Sequence, residues 1–384
     1  MMSLFLNALL LLASSSNAAS SDAVSSALDA HVQEIVGWVR NQGGYFNDKL
    51  HIRRVDPTDL TSDFGVFAKK NMKALEDLMM IPASAMIWAV QPENPSIENR
   101  VLCDLTHVLM KELKLGEEST FAPFVKLLSE QARGQLPATW SEAGKDLISH
   151  VVSSPDRHDL KMTSWMETNF EHKNCIQSGN AFEQQAVALV VQRGWDTVLI
   201  PIYDMINHIN DLSKRNTDNS SVHGEEGINV WASRAIEAGE QIFMSYDNCH
   251  DCYSTPEEWG TPEILRDFGF VEAYPQTFYF REAEALFSVD KITDDEDLEI
   301  TWHVYDSPDA EGIVWMKEEY HRLVDLQFGG FLAKTRNEMP EEEWNTIFHY
   351  HQSLTVALNR AIQVAIDNLE DSDEDVEEDD EEDL

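Results

Sequence analysis

With 384 residues, 43% of them apolar, the chain is long enough for two domains, or one large domain with appendages, and can bury a real core, which excludes a wholly disordered protein. Its formal net charge is −41; twelve carboxylates and no base lie between Glu370 and Asp383, so −29 remains without them. That sign excludes a nucleic-acid groove, which needs a basic patch, and favours basic partners such as a Lys- or Arg-rich protein segment.

Leu4 to Ala13 is a short apolar run followed by small polar residues through Ser16-Asn17-Ala18, the pattern of a secretory signal peptide over residues 1–18, although no Lys or Arg precedes it. The run is too short to cross a bilayer, and no later stretch is long or apolar enough, so no transmembrane segment is expected. Such a leader points to the secretory pathway or secretion. The same kind of leader can open a bipartite plastid address, and a merely frayed apolar N-terminus would leave the protein cytoplasmic.

Val24, Leu28, Val32, Ile35 and Val39 recur at helical spacing, and Gly43-Gly44 stops that helix. Lys49 to Arg54, Gly65 to Ala68 and Leu75 to Ile81 read as three short strands. Ile97, Val101, Leu105, Val108, Leu109 and Leu113 form one helical stripe ended by Gly116. Phe121 to Leu128 and Ala181 to Arg193 read as further helices, and Val198 to Ile202 as a β-rich apolar run leading into Asp204. Asn210 to Glu226 is polar and reads as a mobile loop; within it Asn219-Ser220-Ser221 is an N-glycosylation sequon. Ile228 to Ser233 and Gln241 to Ser245 read as strands joined through Ala238-Gly239, and Glu263 to Phe268 as a short helix ended by Gly269. Beyond about residue 280 the texture changes to acidic linkers and long helices. The clearest of these opens at Pro340, with Glu341, Glu342 and Glu343 against its positive end and Trp344, Ile347, His351, Leu354, Leu358 and Ile362 as its apolar stripe.

Of the four cysteines, only Cys249 and Cys252 are close in sequence. One C-x-x-C pair falls short of the four ligands of a closed zinc site, so a local disulfide or two free thiols is expected, with a metal or redox role as the alternative. Asn207-His208 and Tyr246 are each ordinary alone, but they occur in order within Asp204-Met205-Ile206-Asn207-His208 and Gly239-Glu240-Gln241-Ile242-Phe243-Met244-Ser245-Tyr246, followed by Glu263-Ile264-Leu265-Arg266-Asp267-Phe268-Gly269-Phe270. In this combination the chain resembles the SET-domain protein methyltransferases, in particular the branch typified by the Rubisco large-subunit methyltransferase. Asp63-Phe64-Gly65-Val66-Phe67-Ala68 resembles that family's opening Gly-x-Gly-hydrophobic-x-Ala segment, with Asp63 where Gly is usual. Lys114 to Phe124 and Trp140-Ser141 resemble the branch's helical insert, and Gln192-Arg193 its Ser-Arg pair. The loop after Tyr246 is expanded relative to the family and carries both Cys249 and Cys252, with Asn248 as the candidate for the family's following Asn.

The resemblance implies an α+β SET fold of short β-sheets over residues 43–280 with a helical insert at about 97–180. A mainly α-helical C-terminal region over 281–369 and an acidic disordered tail over 370–384 follow from composition. It implies S-adenosyl-L-methionine as methyl donor, held by main-chain groups of Phe64 and Gly65, by Arg193 on the donor carboxylate, by Asn207, and by the backbone of His208. Asp204 would order this loop or the donor, unless it is only a turn cap. Tyr246 is the implied catalytic residue, also beside the donor, and Trp195 and Tyr203 are candidates for the walls of a substrate channel or for core packing. A protein substrate follows, with lysine the favoured acceptor and histidine the chemical alternative. A catalytically inactive SET fold that binds protein segments is the reading from a different class; a scaffold built on Cys249 and Cys252 is the third.

Overall fold

The computed structural model describes residues 30–59, 62–89, 98–152, 160–195, 197–220, 227–246, 259–292, 297–303, 307–328 and 330–379. The leader, Cys249, Cys252, Asn248 and residues 380–384 lie outside the described residues. Two compact units are defined. One contains the residues up to Gln131 together with Leu189–His208 and Leu212–Ser245; the other contains Ala132–Ala188, Ile209–Asp211 and the residues from Tyr246 onward.

The first unit is the β-rich one. Helix α1 (residues 30–41) buries Val32, Ile35, Val36 and Val39, the three-to-four spacing of one helical face. Strands β1 (Tyr45–Phe46), β2 (Leu50–Arg54), β3 (Phe64–Ala68), β4 (Asp77–Ile81) and β5 (Ile87–Trp88) precede α2 (Glu98–Leu115) and α3 (Ala122–Ser129). After α5 (Ala181–Arg193) come β6 (Gly194–Trp195), β7 (Val198–Leu199), β8 (Asn207–His208), β9 (Thr217–Asn219), β10 (Ile228–Ala232) and β11 (Phe243–Met244).

These form one four-stranded sheet in the order β1-β4-β10-β9, one three-stranded sheet β5-β7-β6, and two pairs, β2 with β3 and β8 with β11. All pairings are antiparallel except β8 with β11, which is parallel. The core gathers Val66, Leu78, Ile81, Ile200, Ile206, Val230 and Ile242, each at most 1% exposed, so each contributes on the order of 1.5–3 kcal/mol of burial.

In the second unit α4 (Glu142–Val151), α6 (Thr261–Phe268), α7 (Ala310–Phe328), α8 (Phe331–Thr335) and α9 (Glu341–Asp379) share a core with an antiparallel sheet. That sheet runs in the order β12 (Gln276–Phe280), β13 (Ala285–Lys291), β14 (Leu298–Trp302). Helix α4 is held at both ends by side chains from elsewhere in this unit. At its start Ser141 caps Gly144 N at 3.1 Å, while Glu343 accepts from the Ser141 amide at 3.0 Å and its hydroxyl at 2.6 Å. At its end Arg322 donates to the carbonyls of His150 and Val151 at 2.6 and 2.8 Å. Glu343, expected only to face the positive end of its own helix, therefore also serves the N-terminus of α4.

The structure departs from the sequence-based organisation in four places. The compact units part at Gln131 and Ser245, through the helical insert and at the end of β11, not near 280, because α4 and α6 bury their apolar faces with β12–β14, α7 and α9. The C-terminal region opens on a sheet rather than on helices: Phe278 and Phe280 alternate inward on β12, and Phe287 and Val289 on β13. The acidic run is helical as far as Asp379, an extension of α9, where a disordered tail was expected from 370. The apolar run at Val198 is strand only to Leu199; Ile202 has φ +69°, a left-handed conformation that a β-branched residue rarely adopts, and it turns the chain into the single 3-10 turn Tyr203–Met205. No helix among the described residues is long and apolar enough to cross a membrane.

Candidate active site

Three chain segments of the first unit meet around Gly65. The β3 backbone takes the Ile242 amide onto the Val66 carbonyl at 2.8 Å and gives the Ala68 amide to the Glu240 carbonyl at 2.9 Å, with a bridge between Phe67 and Gln241. Parallel pairing sets Asn207 opposite Phe243 and His208 opposite Met244. The Asn207 carboxamide then donates to the Phe64 carbonyl at 3.1 Å. A Cβ at position 65 would lie 2.5 Å from Gln241 Nε2, 3.1 Å from Phe67 Cε2 and 3.2 Å from Asn207 Nδ2, so any other residue here has to push the end of the Gln241 side chain aside. Phe64, Gly65, Asn207 and His208, chosen from sequence as donor-binding residues, are thus neighbours.

Asn216, fully buried, pins the third segment. It donates to the Gln241 carbonyl at 2.8 Å and accepts from the Phe243 amide at 2.8 Å, while Thr217 Oγ1 donates to the Phe243 carbonyl at 2.7 Å. The stretch read as a mobile loop from Asn210 to Glu226 therefore contains β9, paired with β10. Asn219 of the sequon is on that strand, not in a loop: its Oδ1 accepts from the Tyr203 hydroxyl at 3.2 Å, and its Nδ2 donates to the Ser220 carbonyl at 3.0 Å. Ser221 lies outside the described residues.

Arg193, at the end of α5, donates to Asp204 Oδ2 at 3.0 Å and to Gln131 Oε1 at 2.7 Å. Its side chain is 20% exposed and that of Asp204 is 1% exposed. Among the described residues Asp204 Oδ1 is buried without a hydrogen-bond partner of good geometry, with the backbone amides of Asp204 and Ile202 the nearby donors that favour the charged carboxyl. Burial pushes the Asp204 carboxyl above the ordinary carboxylate range, against the opposing pull of Arg193. A guanidinium carries five N–H donors, so the fork is oriented by protein acceptors without being exhausted by them. Sequence reasoning missed Gln131, which stands far from the motif, and the orientation of Gln241, which stands inside it.

Trp195 and Tyr203 pack ring to ring, with centroids 5.2 Å apart at 57°. Tyr203 is 5% exposed and belongs to the core, whereas Trp195 is partly buried against it. Asp63 is exposed, and it is not among the described non-glycine residues with positive φ, so its place in the opening motif makes no demand for glycine. Tyr246 is half-buried in the second unit, 4.7 Å from the Phe268 ring of α6 at 36°. Cys103 and Cys175 are each disulfide-bonded.

Residues 63–247 match the SET domain family model, and that segment of the chain is a SET domain. The fold of that segment is accordingly the SET fold, an α+β arrangement of short sheets and helices. Among solved structures the chain is similar to Rubisco LSMT bound to AdoMet, at 12% identity over 88% of this chain and 92% of that one, with a TM-score of 0.49. It is similar to the SET domain of LSMT bound to lysine and AdoHcy at 12% identity, 88% and 91% coverage and the same TM-score. Rubisco LSMT bound to sinefungin and monomethyllysine matches at 13% identity, 88% and 92% coverage and a TM-score of 0.49. No curated protein sequence matches the chain.

Proposed function

We propose that the protein is an S-adenosylmethionine-dependent protein methyltransferase acting on lysine in a basic protein segment. The observation that carries this reading is the meeting of β3, β8 and the Gln241–Phe243 stretch at a glycine that no side chain could replace without displacing Gln241 or Asn207. The residues present fit the donor. Gly65 lets the Gln241 and Asn207 side chains close on the β3 backbone, Phe64 and Gly65 offer main-chain groups, and the Asn207 carboxamide has an acceptor and a second N–H beyond the one given to Phe64. Arg193 would hold the donor's carboxylate, oriented by Asp204 and Gln131.

The bound donor supplies an electrophilic methyl on a sulfonium centre. Alignment and electrostatics then account for acceleration, with no covalent intermediate on the protein. A lysine acceptor has to lose its proton first, at a cost of about 4–5 kcal/mol at neutral pH unless the site depresses its pKa. Tyr246 is assigned the hydroxyl beside the acceptor nitrogen, and Trp195 the apolar wall along the lysine arm. The negative charge of the chain supports a basic substrate by steering it in. An oxidising compartment belongs to the same proposal, supported by the leader and by the disulfide-bonded Cys103 and Cys175.

The test is transfer of labelled methyl from S-adenosylmethionine to a lysate of the source cells, with mass spectrometry of the labelled residue and Tyr246→Phe as control. Label on lysine, lost in the variant, is expected. Label on histidine overturns the lysine assignment, equal label with both proteins overturns the role of Tyr246, and no label with either overturns the activity.

A further inference from the structure

Gln241 was singled out by nothing but its place in a motif, yet its carboxamide occupies the most crowded point of the site. Backbone contacts fix the main chain that carries it: Asn216 holds the Gln241 carbonyl, the Phe67 bridge holds the strand, and Ile242 is hydrogen-bonded to Val66. The side chain reaches the space that residue 65 would fill if it were not glycine, and Asn207 Nδ2 borders the same space. Its Nε2 is buried and has no hydrogen-bond partner among the described residues. A buried amide donor without an acceptor destabilises a fold, and native proteins keep few of them. A methionine at this position would fill the same volume without that penalty. A polar group retained at a cost, at the seam of three segments that build a binding site, is expected where function and stability pull apart.

We infer that Gln241 is a positioning residue of the donor site. It fills the space left by Gly65, fixes the Asn207 carboxamide against the Phe64 carbonyl, and keeps an N–H group facing that seam which finds its acceptor in the bound state. The inference rests on the proposed function, since the bound state in question is that with S-adenosylmethionine or its demethylated product.

The test measures binding of both molecules to the full chain by calorimetry, together with thermal unfolding of the unliganded protein, for the parent, Gln241→Met and Gln241→Glu. The glutamate keeps the shape and loses the N–H group, so it reports even if the methionine fails to fold. Both variants are expected to bind about tenfold more weakly, with KM for the donor rising and kcat little changed, while Gln241→Met melts no lower than the parent. Parent-like affinity in a folded variant overturns the inference while leaving the methyltransferase reading intact. Variants that melt lower but bind normally once folded overturn it too, by reducing Gln241 to a packing residue. Absence of binding by the parent overturns both.

Discussion

Replacing Asp204 by asparagine separates the two opposing contributions to the Arg193–Asp204 pair. The gross attraction of two unit charges about 4 Å apart is about 4 kcal/mol at an effective dielectric of 20, while burying a carboxylate costs several kcal/mol. The carboxyl's upward shift says that burial outweighs the arginine and the backbone amides of Asp204 and Ile202 here. Asparagine keeps the shape and an oxygen for Arg193 Nη1, and Arg193 retains Gln131 and enough exposure to stay hydrated. Asp204→Asn should therefore be as stable as the parent at neutral pH, or more so, to within about 1 kcal/mol. Removing the arginine is a different act: Arg193→Gln leaves the carboxylate buried alone and should cost about 3–5 kcal/mol.

The pH dependence carries a sign. A folded pKa raised above the unfolded value near 3.8 contributes stability that is complete below that value and lost as pH rises through the folded pKa. The parent should thus lose ground to Asp204→Asn on going from acid to neutral pH, and the penalty of Arg193→Gln should fade in acid. Urea unfolding of the three proteins across that range gives the comparison. A loss of more than about 2 kcal/mol in Asp204→Asn at neutral pH, vanishing in acid, would show that the arginine dominates and refute the reasoning.

Two further outcomes can be checked by the same unfolding assay. Glu343→Ala removes the acceptor for the Ser141 amide and hydroxyl at the start of α4 and should cost about 2–4 kcal/mol, with Glu343→Gln near half of that. Gly65→Ala forces Gln241 Nε2 from a point 2.5 Å from the new carbon; it should cost about 1–3 kcal/mol by overpacking and weaken donor binding in calorimetry.

The periodic signals carried much of this fold. Leu105 and Leu109 of the α2 stripe, the alternation of β2 and β10 and the apolar face of α9 lie where spacing puts them, because each is decided by neighbours within a few residues, while Ile97 lies outside the described residues. Pairing partners were not legible. The parallel contact of β8 with β11 and the meeting of Gly65 with Gln241 join residues far apart in sequence, and no local pattern encodes them. Asp63 shows the converse: it stands exposed where the motif usually has glycine, and its backbone stays out of the left-handed region. Gln131 has no signal at all, since a surface-looking glutamine acquires its role only when α3's end meets Arg193.

Asn219 adds a question of timing. In a chain entering the secretory pathway, the sequon meets the glycosylation machinery as an extended segment, before β9 zips onto β10. Once it has zipped, one N–H of the amide is given to the Ser220 carbonyl, the amide oxygen takes the Tyr203 hydroxyl, and the acceptor is held within a paired strand. A sugar attached early would sit on Asn219 Nδ2, the atom that faces the Ser220 carbonyl in the folded chain, and would crowd the strand there. Fast closure of one short hairpin would then protect the site from its own cell's modification machinery, and a slow-folding variant would reveal this as a heavier, glycosylated and inactive population.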